Sequence, residues 1–183
     1  MAERVAQRAG PSLRESAMLT VLPWSSRFVL RGDARVGAAA AAALELRAAP
    51  QTCRALTDGE RAMLWLGPDE HLLLGPETAA PMLTERLHAH LSGLPHSLVD
   101  VSHRQCALQV SGPHAATALS AGCPLDLDEA AFPLGMCTRT VLGKAEVVLW
   151  RIAADGFRVE VARSFAAYVA QLMAEVMREL AAS

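Results

Sequence analysis

Lysine occurs once in this 183-residue chain, at Lys144, and every other basic residue is an arginine. The formal net charge is −2. Phosphate binding needs clustered cations, so no nucleic-acid partner is expected. The cysteines are Cys53, Cys106, Cys123 and Cys137, with no Cys-x-x-Cys pair among them. That spacing excludes the usual zinc motifs and a secreted disulfide framework. No apolar run reaches the length of a membrane span, because the alanine-rich stretch 38–46 is interrupted by Arg47, and no membrane partner is expected. Glu3, Arg4, Arg8, Arg14 and Glu15 precede any apolar segment, so a secretory signal is not expected and a reducing cytoplasm is the expected compartment. The glycines mark turns and nowhere form G-x-G-x-x-G after a strand or a Walker loop. The chain is therefore not expected to bind FAD or NAD by itself.

What is present is core-forming. Hydrophobic residues make up 52% and charged residues 20%, the balance of a globular protein long enough to bury a sizeable core. The arginine excess suits protein contacts through its planar donor fork, although GC-rich coding would give the same count. Phe28-Val29-Leu30-Arg31-Gly32 before an alanine-rich helix parallels Leu108-Gln109-Val110-Ser111-Gly112 before Pro113-His114-Ala115-Ala116. Gly59 through Trp65 parallels Gly143 through Trp150, and the strand at 71–74 parallels that at 157–161. A roughly eighty-residue offset with two copies indicates a duplicated domain and not a solenoid, which needs about three repeats. The expected class is α+β with mixed sheets, each half running strand, helix, strand, strand, helix. Residues 25–183 form the domain, as pseudo-repeats at about 25–95 and 96–183, and residues 1–24 form an arm. Pro113 is expected at the first position of its helix and Ser164 as the N-cap of the last one. That last helix has an apolar stripe of Phe165, Tyr168, Val169, Leu172, Met173, Val176, Met177 and Leu180.

Several residues invite chemistry and yield little. Asp100-Val101-Ser102-His103 places a nucleophile, a base and an orienting acid together, but strand neighbours point to opposite faces and cannot share a site. His88 and His90 are two apart on a helix and diverge, unlike an i, i+4 chelating pair. His96, His103 and His114 flank turns. Cys123 and Cys137 read as small buried apolar residues. No metal ligands are assigned. Trp24, Trp65 and Trp150 are core or interface anchors.

The second half carries words in a particular order. These are Asp100-Val101-Ser102-His103, Ser111-Gly112-Pro113-His114-Ala115, Cys123-Pro124-Leu125-Asp126-Leu127 and Gly135-Met136-Cys137-Thr138-Arg139-Thr140-Val141-Leu142-Gly143-Lys144. Their order resembles the folate-binding aminomethyltransferase superfamily, which includes the T-protein of glycine cleavage. The last word, with Glu160-Val161-Ala162-Arg163-Ser164-Phe165 behind it, is similar to the gamma-subunit family of heterotetrameric sarcosine oxidase. In the T-protein pattern an Asp-Asp pair assists one-carbon transfer to tetrahydrofolate. Here Ala145 and Glu146 occupy those positions, and Ala162 stands where the superfamily has asparagine. The resemblance thus implies a degenerate scaffold with no catalytic residue, leaving Glu146 as the remnant of a folate cleft. Relatives often carry an aromatic where this chain has His71. The resemblance further implies a structural subunit of a complex that demethylates sarcosine oxidatively. Its partners would be alpha, beta and delta subunits. FAD, FMN and NAD would sit on the larger ones and zinc on delta, with tetrahydrofolate as a one-carbon acceptor. The alternative is a free-standing folate-binding enzyme or regulator. Trp150, Arg139 and Arg158 are the candidate partner contacts.

Overall fold

The computed structural model describes residues 17–182, so the first sixteen residues of the arm expected over 1–24 lie outside the described residues. In chain order the elements are β1 (Met18–Val21), β2 (Ser25–Arg31), α1 (Ala34–Ala43), β3 (Ala55–Asp58), β4 (Arg61–Gly67), β5 (Glu70–Pro76) and α2 (Ala80–Leu91). Then come β6 (Ser97–Asp100), β7 (Gln105–Ser111), α3 (Ala115–Ser120), β8 (Cys137–Leu142), β9 (Ala145–Ala153), β10 (Gly156–Ala162) and α4 (Arg163–Leu180). The α+β class holds, with two corrections. Each sheet has five strands where three per half were expected, because β3 and β8 pair as edge strands with β4 and β9 and because β6 and β1 add the opposite edges beside β2 and β7. Every described ladder is antiparallel, so the sheets are not mixed. Two-residue loops connect β3 to β4, β4 to β5, β8 to β9 and β9 to β10, and such loops permit only antiparallel neighbours.

The chain divides into two compact units, one of Trp24–His103 and one in which the described residues up to Pro23 join those from Arg104 onward. Their sheets run β3-β4-β5-β2-β6 and β1-β7-β10-β9-β8. The orders correspond strand for strand except at one edge. There β1, which precedes the first repeat in sequence, pairs with β7 of the second, while β6, which precedes the second, pairs with β2 of the first. Residues 18–21 are thus a strand and not part of a featureless arm. The first unit extends past residue 95, to His103.

In unit Trp24–His103, Phe28, Leu30, Met63 and Leu73 on one sheet face bury against Val36 and Ala40 of α1 and Leu83, Leu87 and Leu91 of α2. The 83/87/91 spacing keeps one helix stripe inward. Burial of each leucine contributes about 1.5–3 kcal/mol. Asp33 caps α1, its side chain accepting from the backbone N–H of Arg35 and Val36. His71, on β5, is buried within 3.3 Å of where a Cβ on Gly37 would lie. Burial pushes its pKa below the ordinary histidine value, only partly opposed by the negative charges of Asp69 and Glu70.

In the second unit, Val147, Leu149, Phe157, Val159 and Val161 pack against Leu119 of α3 and Val169, Met173 and Met177 of α4. The stripe on α4 holds along most of its length, but Phe165 and Tyr168 are exposed. Tyr168 instead reaches the β8–β9 turn, where its hydroxyl accepts from the Lys144 N–H at 3.1 Å. α4 follows β10 without a loop and has Ala162 at its N-cap, so Ser164 lies inside the helix and caps nothing. Pro113 sits in the turn before α3, which begins at Ala115.

The corresponding hairpins show the duplication in their turns. Asp58 faces Arg61 and Leu142 faces Ala145, each across a two-residue loop that starts with glycine. Gly59 has φ 59° and Gly143 has φ 61°, the positive first-position angle that favours glycine in such hairpins.

Candidate partner interface

Strand alternation brings the sequence-nominated residues onto one sheet face. Trp150 on β9 stands opposite Arg158 on β10 and Cys137 on β8. In the next row Val148 lies between Glu160 and Arg139. Glu146 then faces Val141. All of these point away from the Val147, Leu149 and Phe157 side that packs on the helices.

The charged members of this face pair among themselves. Arg139 Nη1 donates to Glu146 Oε1 at 2.8 Å, and Arg158 Nε donates to Glu160 Oε1 at 2.7 Å. The two pairs differ in setting. The Glu146 side chain is 68% exposed, whereas that of Glu160 is 1% exposed. An exposed pair such as Arg139–Glu146 contributes about 0–1 kcal/mol, so its residues are available for contacts at little cost to the fold. Trp150 is half-buried, and its indole N–H is enclosed with no acceptor among the described residues.

The positions that correspond to the one-carbon-transfer acids do not form an acid site. Ala145 is fully buried in the apolar core, and Glu146, its neighbour, projects from the opposite face. One position lacks a carboxylate, and the other holds its carboxylate out in solvent against Arg139. At these residues the chain does not fit tetrahydrofolate chemistry, which needs the acid within hydrogen-bond reach of the reacting atoms.

Asp100, Ser102 and His103 are likewise engaged structurally. The Ser102 hydroxyl donates to Asp100 Oδ1 at 2.6 Å, and the same oxygen accepts from the Ser102 N–H at 2.8 Å. The Arg27 N–H donates to Ser102 Oγ at 2.9 Å, tying this turn to β2. His103 lies beside Trp24, with ring centroids 6.2 Å apart. Among the described residues no group of three or more His, Cys, Asp or Glu side chains converges as a metal site.

Sequence reasoning missed Arg151. It is buried near the end of β9, and its guanidinium donates to four backbone carbonyls: Leu127 and Phe132 in the loop before β8, Ala153 at the end of β9 and Ala154 in the β9–β10 turn. It also lies 5.0 Å above the Phe157 ring. A charge closing the apolar run Val147-Val148-Leu149-Trp150 was the signal that could have found it.

The two five-stranded sheets with two helices each define the class first. The aminomethyltransferase T of the glycine cleavage system from Bartonella henselae aligns with 88% of this chain and 46% of its own at a TM-score of 0.65 and 16% identity, a likeness of fold alone. The sarcosine oxidase, gamma subunit family model matches residues 31–179. The sarcosine oxidase subunit gamma of Corynebacterium sp. (strain U-96) is 33% identical over 182 residues, spanning 100% of this chain and 86% of that protein. The heterotetrameric sarcosine oxidase from Corynebacterium sp. U-96, in complex with pyrrole 2-carboxylate, contains a chain aligning with 100% of this one and 92% of its own. Its TM-score is 0.86 at 30% identity. The chain belongs to the sarcosine oxidase gamma subunit family.

Proposed function

We propose that this chain is the gamma subunit of a heterotetrameric sarcosine oxidase, a structural subunit that holds the assembly together and does no chemistry itself. The observation that carries the reading is the agreement in fold along the whole chain with a member of such a heterotetramer, at a TM-score of 0.86. The absence of an acid at Ala145 and the outward, arginine-bound Glu146 support the non-catalytic part.

The partners are alpha, beta and delta subunits. The complex converts sarcosine, oxygen and water into glycine, formaldehyde and hydrogen peroxide, or delivers the one-carbon unit to tetrahydrofolate as methylenetetrahydrofolate. FAD, FMN and NAD belong to the larger subunits, where the flavins supply the redox chemistry, and zinc, which has none, belongs to delta. The four cysteines are free, which suits a cytoplasmic complex. On the second unit Arg139 and the exposed parts of Trp150 and Arg158 are the proposed contacts; Cys137, Val148 and Glu160 on the same face are already buried within the chain.

Co-expression with the genes encoding its partners tests this. A yellow complex that retains the chain and consumes oxygen with sarcosine is the expected result. A colourless partner, or turnover of sarcosine or tetrahydrofolate by the isolated chain, overturns the reading.

A further inference from the structure

His71 on β5 is 5% exposed, yet neither of its ring nitrogens has a hydrogen-bond partner among the described residues. A buried polar group without a partner is costly, and it is the exception in folded proteins. The ring stands in a row across the sheet, between Leu30 on β2 and Trp65 on β4. Arg54 continues the row, its carbonyl accepting from the Trp65 N–H at 3.1 Å. Helix α1 closes the row from above. A Cβ on Gly37 would stand 3.3 Å from His71 Cε1 and 3.7 Å from Nε2, so a residue disfavoured inside a helix is what lets the backbone rest on the imidazole.

The charged groups around the ring are committed elsewhere or of the wrong sign. Asp69 and Glu70 are both bound by Arg31, at 3.3 and 2.7 Å. Asp33 caps α1 and pairs with Arg35, and Glu45 beyond the helix bridges Arg61 and Arg86. Asp58 and Glu60 are exposed at the far end of the β3–β4 hairpin, and Arg47 is exposed after α1. Arg54 brings a further positive charge into the row, with one guanidinium nitrogen enclosed and unpartnered among the described residues. Burial accordingly lowers the pKa of His71, and the charges of Asp69 and Glu70 oppose this only in part.

The walls of this site are unequal. β2, β4 and β5 each have a hydrogen-bonded strand on both sides. The buried residues of α1 are Val36, Gly37, Ala40, Ala41 and Ala43, one branched side chain and otherwise a methyl group or less. A helix of ten residues is marginal without such packing.

We propose that His71 is an acid-sensitive latch under α1: when the imidazole takes up a proton, Ala34–Ala43 lifts from the sheet and the ring meets water, while α2 and the sheet stay folded. The helix opens between fixed ends. The Gly32 N–H is held by the Asp69 carbonyl at 3.0 Å, and Leu44 and Leu46 are buried just past the last turn. Opening uncovers the apolar sheet face of Phe28 and Leu30. An exposed histidine titrates near pH 6.5, so the closed form is fully favoured above that pH and loses ground as pH falls below it. The inference stands independently of the gamma-subunit reading.

Hydrogen exchange on the purified full chain at pH 7.5 and 5.5, corrected for the intrinsic effect of pH on amide exchange, tests the latch. Opening of residues 34–43 should rise by up to about tenfold, and by at least about threefold, between the two. At pH 5.5 these amides should open more often than those of residues 80–91, which marks a local event and not global unfolding. His71→Phe and His71→Gln, neither of which can titrate, should each remove the rise. A change of less than about twofold in α1, equal opening of α1 and α2 at pH 5.5, or a rise that survives both substitutions overturns the latch. The wild-type comparison of α1 with α2 decides the matter even where a variant does not fold.

Discussion

Replacing Arg151 by methionine tests how the second unit is held closed. Arg151 is 6% exposed and donates to four carbonyls, two in the loop before β8 and two at the β9–β10 hairpin end. Methionine keeps much of the volume and the packing on Phe157 but leaves those carbonyls without their donor. Two of them, those of Leu127 and Phe132, are buried and cost about 1–3 kcal/mol each when orphaned, while those of the exposed Ala153 and Ala154 can turn to water; the desolvation of a cation that no longer has to be buried offsets part of the loss. The expected net loss is about 2–4 kcal/mol. For a chain of this length that lowers Tm by roughly 10 °C. With a urea dependence of about 2 kcal/mol per molar, the midpoint falls by about 1–2 M. Arg151→Lys should recover less than half of the loss, since one ammonium cannot span both loops. Urea titration of the purified chain gives the magnitude, and hydrogen exchange gives the location: residues 127–132 should lose protection before the α4 core does. A cost under about 1 kcal/mol, or uniform loss of protection, would refute the argument.

The duplicated turns should respond unequally to the same change. Gly143→Ala places a Cβ 2.3 Å from the Tyr168 hydroxyl at positive φ, whereas Gly59→Ala has the same strain with nothing within 4 Å. The latter should cost about 1–2 kcal/mol and the former more, and Tyr168→Phe should recover part of the difference in a double-mutant cycle read by urea midpoints. Burial lowers the pKa of His71 below its ordinary value, whereas in the unfolded chain it takes up a proton near pH 6.5. Stability is therefore full above that pH and falls as pH drops through it. His71→Phe should flatten this slope in Tm measured between pH 7.5 and 5.5. Glu45 occupies positive φ at 58° and its carboxylate bridges Arg61 and Arg86. Glu45→Gly should consequently be more stable than Glu45→Ala in urea, because both lose the bridge and only glycine relieves the backbone.

Legibility in the sequence followed the range of the interactions. The α4 stripe was visible because its burial repeats every three to four residues, and it failed only at Phe165 and Tyr168, where the helix starts beyond the edge of the core. β3 and β8 were hard to separate, since short edge strands with polar residues carry little periodic signal. The candidate face was half legible. Alternation alone puts Glu146, Val148 and Trp150 on one side of β9, but their alignment with Arg139 and Arg158 depends on the register of three strands.

The sequence by itself determined the class, the internal duplication, the glycine-led hairpins and the family likeness, all of which rest on local patterns or on word order. Only the tertiary structure decided that β1 and β6 exchange places between the repeats, that Arg151 satisfies two loops at once, and that Ala145 and Glu146 face opposite ways with no common site. Those outcomes hinge on which strand edge and which orphaned carbonyls come within hydrogen-bonding distance, and contacts between residues far apart in the chain leave no periodic trace in it.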